Sequence, residues 1–162
     1  MNTINNVDIA MQIVTMPRRF HSLGNISIFS LLEQTGYFEL HDQVSESDIR
    51  NALARDPECV QEWMQESEDQ RCPAAWYFVL NEEGCYEVGY LDLKSDPNIT
   101  NRVQYENAID ACAAFIMHNI EHMRLYRLQE QQRRQQRRQR QQRQAKERKQ
   151  REGRGRGSNL NI

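Results

Sequence analysis

The apolar positions change their spacing several times along the chain, and each change marks an element. Residues 1–24 hold no clean period: Val7 to Val14 fits either a short strand or a turn of helix, and Pro17-Arg18-Arg19 interrupts it. From Ile28 the spacing of Ile28, Leu31 and Leu32 is helical and closes near Thr35-Gly36, where glycine suits the position after a helix end. Ser45 to Asp48 has the composition of a capping box, opening a helix with Ile49, Ala52 and Leu53 turned inward. Asp56-Pro57 starts another, with aspartate as the cap and proline in the first turn. Val60, Trp63 and Met64 form its apolar stripe, while Glu62, Glu66, Glu68 and Asp69 charge its other side and its end.

The period then falls to two. Trp76 to Leu80, the turn Asn81 to Gly84, and Cys85 to Leu93 read as a β-hairpin rich in aromatic and β-branched residues. Tyr86, Val88 and Tyr90 share one face; Glu87, Gly89 and Leu91 share the other, part of which meets water. A lone hairpin is marginal in water, so a helix or a third strand must support it, and residues 7–14 or 37–40 are the segments available for that strand. Ser95 to Asn98 reads as a turn. After it Tyr105, Ile109, Cys112 or Ala113, Ile116, Ile120 and Met123 recur at steps of three and four. Nothing stops this helix at Arg124, since no Pro or Gly appears before Gly153. Unbroken from Tyr105 to Glu152, it would extend about 70 Å. The pattern predicts an α+β fold: a small antiparallel sheet centred on residues 75–93, packed by several helices and followed by a long C-terminal helix extending into a Gln/Arg-rich tail.

Charge divides the chain where the apolar stripe ends. Residues 1–123 hold 7 Lys/Arg against 20 Asp/Glu, a formal −13, and residues 124–162 hold 14 against 3, or +11. The net charge of −2 therefore describes neither part. Residues 1–123 are expected to form an acidic globular domain, long enough for one hydrophobic core. Residues 124–162 are expected to be a basic tail, helical or disordered. Gln129 to Gln144 contains no apolar side chain, so it has no surface to bury against its ordering entropy.

On a helix the tail sorts into two faces. Arg133, Arg137 and Arg140 cluster on one side, flanked by Arg134, Arg138 and Arg143. Gln131, Gln132, Gln135, Gln136, Gln139 and Gln142 occupy most of the other, with only Gln141 and Gln144 intruding among the arginines. Such a face could track phosphates through bidentate contacts, and the Arg-Gly-Arg-Gly of residues 154–157 would be a flexible basic extension. The plainer alternative is a solubilising low-complexity extension, since like charges at i and i+4 (Arg133/Arg137, Arg134/Arg138) weaken an isolated helix.

Catalytic chemistry leaves no signature. His21 and His41 have no companion for nucleophilic catalysis, and no phosphate loop, dinucleotide fingerprint or nucleophile elbow occurs. His118 and His122, one turn apart with Glu121 between them, have a spacing able to hold a metal, but no third ligand is placed by sequence. The expectation is a non-enzymatic protein with no catalytic residue, metal or cofactor. Cys59, Cys72, Cys85 and Cys112 match no zinc or redox spacing, and the N-terminus lacks a signal-peptide pattern. Together these suggest reduced thiols in the cytoplasm, where the acceptor patterns at Asn25 and Asn98 carry no meaning. No stretch approaches the ~18 apolar residues of a membrane span.

The most distinctive stretch of the body runs from Glu62 through Trp63, then Ser67-Glu68-Asp69-Gln70-Arg71, to Trp76-Tyr77-Phe78. Read by itself it places Trp63 and Trp76 as core anchors and pairs Arg71 with a neighbouring carboxylate. Residues 62–93 also resemble small bacterial immunity-type proteins, which neutralise toxins of interbacterial competition systems. The resemblance implies a cytoplasmic, non-enzymatic inhibitor whose acidic surface covers a basic partner, a cognate toxin such as a nuclease. Glu62, Glu66, Glu68, Asp69, Glu82, Glu83 and Glu87 are the partner-binding candidates, and opposite charge would steer the encounter. The basic tail departs from that picture. The alternative is an RNA- or DNA-binding protein acting through Arg133, Arg134, Arg137, Arg138, Arg140 and Arg143.

Overall fold

A computed structural model describes residues 5–69, 74–92 and 101–155. Arg71, Cys72, Leu93, the Ser95–Asn98 turn, the Asn98 acceptor and residues 156–157 lie outside them. The elements follow the order α1 (Asn6–Val14), α2 (Met16–Leu23), α3 (Ile28–Gln34), α4 (Tyr37–Leu40), a 3-10 turn (His41–Gln43), α5 (Glu46–Arg55) and α6 (Glu58–Asp69). After them come β1 (Ala74–Leu80), β2 (Tyr86–Asp92), β3 (Val103–Tyr105) and α7 (Ala108–Gly155). The fold is α+β, with one three-stranded antiparallel sheet in the order β1-β2-β3. By its contacts the chain divides into two compact units, Met1–Met123 and Arg124–Ile162.

Within the first unit several elements form as their local sequence directs. Ser45 and Asp48 build the reciprocal box at the start of α5: the Asp48 amide donates to Ser45 Oγ at 3.2 Å and the Ser45 amide to Asp48 Oδ2 at 2.9 Å. Gly36, with φ 78°, lies just past the end of α3, in the left-handed region that glycine enters without strain. In the hairpin turn Asn81 Oδ1 accepts from the amides of Glu83 (3.1 Å) and Cys85 (2.9 Å).

The N-terminal segment and the third strand differ from the sequence reading. Residues 7–14 belong to helix α1, whose buried residues Ile9, Ala10, Ile13 and Val14 lie along one helical stripe. Pro17 does not simply break this segment. It sits in the first turn of α2, where its missing amide costs nothing. Residues 37–40 form the single turn α4, with Tyr37 and Phe38 buried. The third strand is Val103–Tyr105, pairing Tyr105 with Tyr86 and Val103 with Val88. Tyr105 precedes Ile109 by four residues and so mimics the first step of the helix. The helix begins at Ala108, and the Asn107 side chain accepts from the amides of Ile109 (2.8 Å) and Asp110 (3.4 Å).

Trp63 is the centre of the core. It is fully buried, donates its indole N–H to the Val14 carbonyl at 2.9 Å, and meets Phe115 of α7 edge to face at 6.0 Å. Phe115 in turn stacks on Phe78 of β1 at 5.9 Å. Elements α1, α6, α7 and β1 are thus joined by one chain of contacts, Val14 to Trp63 to Phe115 to Phe78. The buried Ser67 hydroxyl accepts the Phe78 amide at 2.8 Å, so α6 satisfies a backbone donor that the β1–β2 ladder leaves over.

In the second unit, residues 124–155 are helical. Every residue from Gln131 to Glu152 is exposed.

Candidate binding surfaces

The second unit supplies a uniformly exposed, basic surface. Because residues 131–152 are helical, the 100° placement of the arginines applies: Arg133, Arg137 and Arg140 share a face, and Arg148 and Arg151 continue it. This stretch carries 10 Lys/Arg against 2 Asp/Glu, a formal +8 over about 33 Å of helix. Arg133 Nη1 lies 3.0 Å from Glu130 one turn earlier. An exposed pair of that kind is weak, and a stronger anion displaces it readily.

The acidic candidates of the first unit fall into two groups. Glu62, Glu66 and Glu87 are engaged from within. Arg18 spans two carboxylates, Glu62 through Nε at 2.9 Å and Asp56 through Nη1 at 2.9 Å. The hydrogen bond from Arg18 holds the Asp56 carboxyl below its ordinary value, and the same bonds raise the guanidinium further. Glu66 lies 4.0 Å from the His21 imidazole. Glu87 accepts the Tyr77 hydroxyl at 2.6 Å and sits 3.8 Å from Arg102. Burial, then this bond to Glu87, pushes the Tyr77 phenol up to about 12. Reaching Glu87 takes the Tyr77 ring across Gly89, where a Cβ would lie 2.5 Å from the phenol oxygen. Glu68, Glu82 and Glu83 are exposed, and Asp69 closes α6.

His118 and His122 face aromatic rings. His118 stacks on Trp76 with centroids 3.9 Å apart and planes 6° from parallel. His122 lies 5.9 Å from Tyr90, which lies 5.5 Å from Trp76. Burial pushes the His118 imidazole below the usual histidine value, against a smaller opposite pull from Glu46. Trp76 is only half-buried, unlike Trp63. The sequence placed the two histidines one turn apart but gave no sign of these rings, because the partners come from the sheet. Among the described residues no three metal-ligating side chains gather. Nor are the buried thiols activated: desolvation pushes Cys59 up to about 12 and raises Cys112 as well.

No protein-family model, curated protein or solved structure matches the chain. Among the described residues no helix is long and apolar enough to cross a membrane.

Proposed function

We propose that this chain is a non-enzymatic nucleic-acid-binding protein whose basic helix holds an RNA strand through its phosphates. The observation that carries this reading is the run from Gln131 to Glu152: helical, exposed throughout, at a formal +8, with arginines aligned on one face. Guanidinium groups take phosphate oxygens bidentately, and each condensed counterion released on contact favours binding. Such contacts carry no sequence information, so the expected activity is strong, salt-dependent and tolerant of sequence.

The test is fluorescence anisotropy with a short labelled single-stranded RNA, titrated between about 50 and 200 mM salt. If the six arginines from Arg133 to Arg143 each engage a phosphate, the log–log slope approaches about −4. Cutting the chain after Glu130 abolishes the binding. A slope near zero, or binding that survives the cut, overturns the proposal.

A second reading keeps a specific support. The exposed Glu68, Glu82 and Glu83 sit in a part of formal charge −13, which suits the immunity-type inhibitor that covers a basic toxin. Glu62, Glu66 and Glu87 serve it less well, because using them means breaking the contacts with Arg18, His21 and Tyr77. Reversing Glu68, Glu82 and Glu83 to Lys abolishes co-purification of a basic protein from native cells on this reading. Unchanged co-purification removes it. A cytoplasmic location is part of both proposals.

A further inference from the structure

Phosphate contacts alone treat every strand alike. We infer that Trp76, Tyr90, His118 and His122 form a stacking surface for the bases of a single-stranded nucleic acid. The inference rests on the nucleic-acid reading above and deepens it.

His118 lies on α7, against Trp76 of β1. It is an exposed residue, yet one face of its ring lies flat on Trp76 at 3.9 Å. The exposure therefore belongs to the opposite face and the edge. A leucine or methionine there would cover the indole equally well and leave no open π-face. Burial also pushes the imidazole toward its uncharged form. Trp76 continues to Tyr90 at 5.5 Å, and Tyr90 to His122 at 5.9 Å, placing a second exposed histidine one turn along the helix. Four rings form one connected patch. All four belong to the first unit, and in sequence His122 precedes the cations Arg124 and Arg127 by two and five positions.

The patch fits a base better than it fits other ligands. The His118 ring, parallel to the indole it covers, offers its outer face to another flat ring, with Tyr90 and His122 tilted beside it, and every base has such a ring, whatever its hydrogen-bonding edge. The rings stack without holding a metal, since no third ligating side chain joins the two histidines among the described residues. Paired strands hide their base faces in the duplex, so the ligand is single-stranded.

The test compares two labelled oligomers of equal phosphate count, one of uridine and one of abasic ribose phosphate, against the full chain at fixed salt. The uridine oligomer binds about fivefold tighter or better, the least expected from one stacked base. His118→Ala with His122→Ala removes that preference and leaves the salt slope unchanged. His118→Phe, which keeps a flat ring over Trp76, retains the preference. Circular dichroism on each variant confirms that the fold persists. Equal binding of both oligomers by the unaltered chain overturns the stacking surface while the phosphate reading stands. Failure of both to bind overturns the phosphate reading itself. A preference that persists in the double alanine variant also sinks the inference.

Discussion

Between Ala108 and Met123 of α7 the side chains of Ala111, Cys112, Phe115, Ile116 and Ile120 are buried, whereas between Gln131 and Glu152 of the same helix none is. The first stretch is helical because a core rewards it. The second is helical because Gln, Arg, Glu, Lys and Ala favour the conformation residue by residue. Most helical stability in proteins comes from packing, and an unpacked helix is marginal in water. The first stretch should therefore melt with its unit as a whole. The second should fray locally and respond to salt and to bound anions. A core residue and a surface arginine in one helix are thus subject to different physics.

The largest effect that separates the two is expected from Trp63→Ala. Deleting a fully buried indole that also bonds the Val14 carbonyl costs about 3–5 kcal/mol. Urea unfolding followed by near-UV circular dichroism measures the loss. The far-UV helical signal from residues 124–155 should fall gradually with urea, apart from the core transition. If all helical signal disappears in one transition with the core, the comparison breaks.

Gly89→Ala comes next, at about 1–3 kcal/mol, because the new methyl meets the Tyr77 ring and displaces its hydroxyl from Glu87. Tyr77→Phe, which removes only the hydroxyl, should cost about 1 kcal/mol. Equal losses from the two would show that the ring moves aside freely.

Asp48→Asn is expected to cost about 1 kcal/mol through the cap of α5. Its pH dependence has a definite sign. The Asp48 carboxyl is held low, first by the Ser45 hydroxyl, then by the Ser45 amide and Asn6. The stability it adds is present in full above the unfolded aspartate value of about 3.9 and is lost as pH falls through the lower folded value. Denaturant midpoints of parent and variant should therefore converge in acid. A constant gap down to the acid limit would contradict the capping role.

Arg137→Ala has the smallest effect on stability, within about 0.5 kcal/mol, yet should lower the salt slope for RNA by roughly 0.7. A destabilisation above that range would mean that the arginine helps to hold the structure.

The α5 capping box, the glycine after α3 and the hairpin were all legible in the sequence because each is decided by residues within a few positions of one another. Residues 7–14 were not, since a proline three residues beyond them reads equally as an end or a beginning. Val103–Tyr105 escaped because three residues define no period and Tyr105 falls in step with Ile109. The acidic candidates were legible as charge but not as commitments. Nothing near Glu62 in sequence announces Arg18, which lies 44 residues earlier. The pairing of His118 with Trp76 was hidden for the same reason: it joins residues 42 positions apart, numbers that follow only from the fold.

That stacked pair also has an optical consequence. The chain has two tryptophans, and they occupy opposite environments: Trp63 is sealed from water, and Trp76 lies half-open beneath an imidazole. A protonated imidazole in van der Waals contact drains an excited indole of its emission, and a neutral one does so far less. The blue part of the intrinsic fluorescence therefore belongs to the core and the red part to the His118 contact. As pH drops past the lowered His118 value the red part alone should dim, so the unlabelled protein carries its own gauge of that one ring.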